Sequence, residues 1–396
     1  MARQPMTLPR AEHRVPRRLR GASEHFVAGN HLRLLRDGPV ALPEMLAEIA
    51  GAQTQVLLEM YWFDSDHVGR RFLEVLIAAA QRGVDTRVIY DAIGSVEADP
   101  RFFDELRAGG VKAVEFNPIL PWRKRFRLTR VSRRDHRKIL AVDGRVGFTG
   151  GINLSAAWWP EDDTVEPWRD DMIRVEGPAV MGFVRLFELS WQLQTGQELE
   201  LFEQNTGCEK REDSDQHVSV LGEAYFRNRT QIARAYLANM WRAEHRIWIT
   251  NSYFVPDRAV VKALVRAAQR GVDVRVLLPG KIDIEVVRYA SQAMWGRLLK
   301  AGVRIFEWSG NVLHAKTAVI DGVWSTVGTF NLDHLSLFTN LEVNVSVRDR
   351  AFGRALEDSF ENDLAGSREI KRADFVFRPL GARLLELLLY RFRKLM

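Results

Sequence analysis

A histidine and a lysine two residues apart, followed at fixed intervals by an aspartate, a glycine and an asparagine, occur twice in this chain. The first copy, "HRKILAVDGRVGFTGGIN", runs from His136 to Asn153, and the second, "HAKTAVIDGVWSTVGTFN", from His314 to Asn331. Both fit the spacing H-x-K-x4-D-x6-G-x2-N. The residues are His136, Lys138, Asp143, Gly150 and Asn153, then His314, Lys316, Asp321, Gly328 and Asn331. At about one in twenty per residue type, a chance second copy has odds on the order of 10^-4.

The spacing has a chemical meaning. Residues i and i+2 of a strand share a face, so each histidine projects beside its lysine. Asp143-Gly144 and Asp321-Gly322 read as hairpin turns, which gives the aspartates a structural role. Burying two lysines without anionic partners is costly. Two-fold pairing of the halves would gather two histidines, two lysines and two asparagines into one cluster of donors for an oxyanion. A phosphodiester suits such a cluster. Ammonium groups and the Asn153 and Asn331 amides would stabilise charge on the non-bridging oxygens. A neutral imidazole attacks phosphorus, and a protonated one gives its proton to the leaving alkoxide. A nucleophilic histidine needs its other ring nitrogen held. Each half offers a carboxylate downstream of its histidine, Asp170 in "WRDDM" and Glu342 in "TNLEVNV". No zinc-spaced Cys/His cluster, HExxH, GxGxxG or Walker loop occurs, so no metal or nucleotide cofactor is expected.

The elements that must position these residues also repeat. "AQRGVD" occurs at Ala80–Asp85 and at Ala268–Asp273, and "VLLEMYWF" (Val56–Phe63) aligns with "IWITNSYF" (Ile247–Phe254). Each half reads as strand, helix, strand, helix, strand, then hairpin, which predicts an α/β architecture. Gly83 and Gly271 sit where helix C-caps belong. The expected organisation is a basic tail (1–24), a first domain (25–202), a polar linker (203–216) and a second domain (217–396). Phe116 to His136 spans 20 residues against 6 from Trp308 to His314. The first half therefore carries an insertion, including the basic and aromatic "PWRKRFRLTRVSRRD" (Pro121–Asp135).

Composition sets the outer bounds. A chain of 396 residues with 46% hydrophobic and 27% charged content is a folded protein of about two domains. The lone Cys208 excludes an intrachain disulfide and suits a reducing compartment. A net charge of +6 fits anionic partners. Neither a secretory h-region nor an apolar run long enough for a transmembrane helix is found.

With both motifs complete, the sequence resembles the phospholipase D superfamily, from about His25 onward. Within it, the chain is most similar to bacterial cardiolipin synthases of the short type, which lack N-terminal membrane spans. "FTGGIN", "WRDDMIRVEGPAV", "NSYFVPD" and "TVGTFNLDHLSLFTNLEVNV" carry that likeness. The resemblance implies two α/β domains with mixed sheets, related by pseudo-two-fold symmetry, with one active site at their interface. It implies metal-independent phosphatidyl transfer through a phosphohistidine, making cardiolipin from two phosphatidylglycerol molecules with release of glycerol. By the same resemblance His136 is the nucleophile, and His314 is general acid and then base. Lys138, Lys316, Asp143 and Asp321 count with the catalytic set. Hydrolysis, transfer to another alcohol, and a nuclease of the same superfamily are the alternatives, although no nucleic acid partner is expected. A lipid substrate implies peripheral binding to an anionic phospholipid surface, on the cytoplasmic side of the bacterial inner membrane. Three stretches suit it: His13–Arg20, the insertion, and "GARLLELLLYRFRKLM" (Gly381–Met396), read as an amphipathic helix.

Overall fold

Short apolar runs closed by glycine and aspartate become inner strands, and amphipathic segments become the helices that cover them. The computed structural model describes residues 15–19, 24–122, 125–127, 130–199, 216–222, 230–282, 284–376 and 378–392. The first half contains β1 (Val27–Arg36), α1 (Gly38–Gly51), β2 (Gln55–Met60), α2 (His67–Gln81), β3 (Asp85–Asp91) and α3 (Pro100–Ala108). It continues through β4 (Lys112–Phe116), β5 (Lys138–Val142), β6 (Val146–Gly150), β7 (Asp171–Glu176) and α4 (Val180–Thr195). The second half repeats this with β8 (Gln216–Gly222), α5 (Gln231–Arg242), β9 (Arg246–Asn251), α6 (Arg258–Gln269), β10 (Asp273–Pro279), α7 (Glu285–Lys300) and β11 (Arg304–Trp308). Then come β12 (Lys316–Ile320), β13 (Trp324–Gly328), α8 (His334–Phe338), β14 (Val343–Arg348) and α9 (Arg350–Ala365). The last elements are β15 (Ser367–Glu369), α10 (Arg372–Val376) and α11 (Leu380–Arg391).

Helix α2 shows the local logic. Phe72, Leu73, Leu76 and Ala79 are buried along one face, the Asp66 carboxylate accepts from the Val68 and Gly69 amides at its start, and Gly83 follows its end with φ 90°. That positive φ is the left-handed stop expected of a glycine there.

The strands form one mixed sheet in the order β15-β11-β10-β9-β12-β13-β14-β8-β1-β7-β6-β5-β2-β3-β4. In each half three strands run parallel (β2-β3-β4 and β9-β10-β11) and the hairpin and its neighbours run antiparallel. The halves join where β1 pairs antiparallel with β8. The first half has one hydrophobic cluster of its own and the second has two, a large one and a small one around Val255, Val287 and Ala290. A further cluster draws on both halves, packing Leu57, Ile139 and Phe183 with Val218, Val319 and Val345. Most of the linker, 203–215, lies outside the described residues, and Gln216 already belongs to β8. Of the basic tail, 1–14 and 20–23 lie outside them, while Val15 and Leu19 are buried in the second-half core.

Both hairpins turn on Asp-Gly pairs with positive φ: 54° and 60° at Asp143-Gly144, 54° and 64° at Asp321-Gly322. Such two-residue turns match the twist of the flanking strands. The aspartates then reach back to a neighbouring strand. Asp143 accepts from the backbone N–H groups of Gln53 (3.0 Å), Thr54 (2.8 Å) and Gln55 (2.9 Å). Asp321 does the same for Glu244 (2.9 Å), His245 (2.8 Å) and Arg246 (2.9 Å). At roughly 3.3 Å per residue they stand about 20 Å from their histidines, at the other end of the strand. Counting Asp143 and Asp321 with the catalytic residues is thereby corrected: these carboxylates saturate the amides that open β2 and β9.

Asp143→Ala is expected to lower unfolding free energy by about 2 kcal/mol in urea titrations, since it strips a charged acceptor from three amides. Burial pushes the Asp143 carboxyl up, but the amides of Gln55, Thr54 and Gln53 outweigh it and hold it below its ordinary 3.8. Its contribution is therefore full above that value and is lost as pH falls through the depressed one. A wild-type-minus-variant difference that is absent at pH 7, or that grows in acid, would contradict this.

Candidate active site

His136 and His314 lead into β5 and β12, and two short backbone bridges fix them against the opposite half. The His136 amide donates to the Leu341 carbonyl (3.0 Å), and the Leu341 amide to the Arg134 carbonyl (2.9 Å). The His314 amide donates to the Arg169 carbonyl (2.8 Å), and the Arg169 amide to the Val312 carbonyl (2.9 Å). Leu341 precedes Glu342, and Arg169 precedes Asp170. Each histidine is thus clamped beside the acid of the other half. His136 Nδ1 lies 3.0 Å from Glu342 Oε2, and His314 Nδ1 lies 2.8 Å from Asp170 Oδ2. Both acids hold a histidine, but across the halves rather than within them.

A carboxylate on Nδ1 fixes the proton there and leaves Nε2 with its lone pair. Burial pushes the His136 pKa down, against the opposing pull of Glu342. Burial and the Lys316 charge push His314 further, to about 4. Burial also favours the protonated acids, but the imidazoles and further donors hold Asp170 and Glu342 below the ordinary carboxylate range. The resting pairs are neutral imidazoles over ionised carboxylates.

The lysines complete the cluster. Lys138 and Lys316 are 1% and 0% exposed, so their charges stand out of water. Lys138 Nζ donates to the His136 carbonyl (2.9 Å) and lies 4.9 Å from the Tyr61 ring centroid. Lys316 Nζ donates to Ser252 Oγ (2.7 Å) and to the His314 carbonyl. Burial, and then repulsion from Lys316, pull the Lys138 pKa down to about 7. Asn153 Oδ1 accepts from the Trp62 amide (3.2 Å), and Asn331 Oδ1 from Ser252 Oγ (2.9 Å), so each amide group is held by its oxygen. The motif glycines serve packing: a Cβ on Gly150 would meet the Asp171 carbonyl oxygen at 2.2 Å, and one on Gly328 the Val343 oxygen at 2.3 Å.

Several site residues escaped sequence reasoning. Trp158 Nε1 donates to Asp170 Oδ2 (2.9 Å), and its ring meets His314 edge-on at 5.3 Å. Trp168 lies 5.8 Å from the same imidazole, and Tyr61 lies 4.9 Å from His136. Thr329 Oγ1 donates to Glu342 Oε2 (2.5 Å). Trp168 and Ser252 sit inside "WRDDMIRVEGPAV" and "NSYFVPD", so the signal was present without an assigned role. The insertion splits. Residues 123, 124, 128 and 129 lie outside the described residues, and Trp122 is 77% exposed. Arg134 is buried, donating to the Asn117 carbonyl (3.1 Å). Among the described residues, no group of three or more His, Cys, Asp or Glu side chains converges as a metal site would require.

The family model described as "Cardiolipin synthase, PLD-like domain" matches this chain twice, over residues 45–174 and 236–364. A cardiolipin synthase of a Geobacillus species is 33% identical over 354 residues, covering 89% of this chain and 70% of that protein. Cardiolipin synthase B of Escherichia coli is 35% identical over 347 residues, covering 85% of this chain and 81% of its own. The crystal structure of phosphatidylserine synthase from Haemophilus influenzae superposes with a TM-score of 0.72, covering 98% of this chain and 99% of that one. Its 13% identity makes that a likeness of fold.

Because Lys138 is charged only below about 7 in the free protein, affinity for a phosphodiester anion should fall as pH rises through that value. Calorimetric titration with dimethyl phosphate between pH 6 and 9 reads this, and Lys138→Met should flatten the profile. A wild-type affinity that is flat across the range would refute the assignment. A second expectation concerns Gly151, where a Cβ would stand 2.1 Å from Asp170 Oδ1. Gly151→Ala should displace Asp170 and move the His314 titration, read by NMR, in the same way as Asp170→Asn.

Proposed function

This chain belongs to the cardiolipin synthase, PLD-like domain family, and from that premise we propose that it is a phosphatidyltransferase that makes cardiolipin from two phosphatidylglycerol molecules. The observation that carries the proposal is the pair of crossed histidine–carboxylate contacts around two buried lysines. The donor phosphate binds between Lys138 and Lys316, with the Asn153 and Asn331 amides as further donors. His136 Nε2 attacks phosphorus, forming the N–P bond as the bond to the glycerol oxygen breaks, and His314 gives that oxygen its proton. A second phosphatidylglycerol then enters. His314 takes the proton from its hydroxyl, the new P–O bond forms, and His136 leaves. Burial first, and then the Lys316 and Lys138 charges, depress His314; the bound anion offsets the charge part and so favours this imidazole's proton in the complex. Peripheral association with an anionic phospholipid surface, on the cytoplasmic side of a bacterial inner membrane, belongs to the same proposal.

Purified protein incubated with phosphatidylglycerol vesicles should yield cardiolipin and free glycerol by mass spectrometry. His136→Ala and His314→Ala should each lose at least 10³-fold in rate, on the scale of removing a nucleophile or its proton donor. Phosphatidic acid as the sole product would redirect the reading to a hydrolase. A phosphatidyl adduct trapped on His314 in the His136→Ala protein would reverse the two roles.

A further inference from the structure

Helix α11 is turned inside out for a helix in water. Such a helix buries its apolar stripe and shows its charges to solvent. Here Glu386 is 3% exposed, held by Arg378 at 2.5 and 3.0 Å, whereas Leu384, Leu387 and Leu388 are 67%, 56% and 55% exposed. The Arg378 guanidinium is itself seated on the Phe375 ring, 3.3 Å from its centroid. The acid is therefore kept inside by a dedicated partner, and the leucines are left outside.

The neighbourhood of this face gives its occupant. Tyr390 Oη donates to the Pro256 carbonyl (3.1 Å), and Leu389 and Tyr390 pack with Tyr253, Val255 and Val287. Tyr253 follows Ser252, the hydroxyl that joins Lys316 to Asn331. The start of α7 continues the patch with exposed Ile284, Val286 and Tyr289. Arg383 and Arg391 on α11, with Lys281 and Arg258 nearby in the chain, are exposed cations, against one exposed acid, Glu285, in the first turn of α7. This is an apolar face rimmed by cations, built directly on the loop that shapes the phosphate site. It fits a surface that is apolar below and anionic at its head groups.

We propose that α11 and the first turn of α7 form the membrane-docking face, which seats the site mouth on an anionic bilayer. The inference rests on the phosphatidyl-transfer reading and adds the surface through which that reaction meets its substrate. No helix among the described residues is long and apolar enough to cross a membrane.

The test uses the full chain with Leu387→Glu and Leu388→Glu combined. Binding is read by co-sedimentation with phosphatidylcholine vesicles containing phosphatidylglycerol. Turnover is read separately on those vesicles and on short-chain phosphatidylglycerol dispersed as monomers. The docking face predicts at least a tenfold loss of vesicle binding and of vesicle kcat/KM, with monomer turnover unchanged within twofold and an unchanged Tm. A milder Leu388→Ser variant should show an intermediate loss. Unchanged co-sedimentation of the double variant, or wild-type protein that stays in the supernatant, would overturn the proposal. So would equal loss on monomers and vesicles, or a lipid-free wild-type dimer that the substitutions dissolve. If vesicle binding follows the proposal while no lipid turns over in any form, the transferase reading fails and the docking face stands.

Discussion

Everything in this molecule serves a crossing: each imidazole is held by a carboxylate from the other half. The crossing is set by backbone before side chains meet. Leu341 and Arg169 bridge to the segments that carry His136 and His314, and the next residue in each case is the acid. Neither half contains a complete histidine–carboxylate pair. The halves must therefore be rigid relative to one another, and the joined sheet, the shared core cluster and a buried ion network provide that. Arg169, at 4% exposure, binds Asp171 and Asp363 and donates to Ser359 Oγ (2.9 Å), which ties β7 of the first half to α9 of the second.

The same crossing makes a cationic centre tolerable. Two ammonium groups out of water repel one another and lose hydration. The two ionised acids beneath them offset part of that cost, and the remainder shows as the depressed titrations of Lys138 and His314. The two carboxylates are already committed to the Nδ1 atoms of the histidines, so the lysines keep their mutual repulsion. A phosphodiester bound between them, as proposed, would offset that repulsion, and the donors would need little reorganisation as charge develops.

Much of this was legible in the chain because duplication writes it twice. The strand face shared by His136 and Lys138, the Asp-Gly turns and the α/β order follow from local spacing, and the family likeness rests on the same residues. The crossing was not legible. It depends on contacts separated by 206 and 144 residues, and nothing local distinguishes a carboxylate that serves its own half from one that serves the other. The structural role of Asp143 and Asp321 was legible in their Asp-Gly turns, but the amides they hold on a neighbouring strand were not, and the family resemblance still counted them as catalytic. A position repeated in both motif copies says nothing about which amides it will meet, until the register of β5 against β2 is known. Trp158 was invisible because an indole reads as core unless its N–H has a destination.

The two half-sites are copies in backbone and differ in chemistry. Gly151 leaves room for the short Asp170, whose second donor is an indole N–H. At the equivalent place Thr329 puts a hydroxyl on the longer Glu342. Lys138 lies over an aromatic ring where Lys316 has the Ser252 hydroxyl. A two-step transfer needs one imidazole that bonds to phosphorus and another that carries the proton, and identical environments would give both the same proton affinity. Environments that push paired titratable groups apart are how one site divides acid from base work. Duplication thus supplied the geometry, and the divergence at Gly151, Thr329, Tyr61 and Ser252 gives the two histidines the unlike surroundings that the proposed division of acid and nucleophile requires.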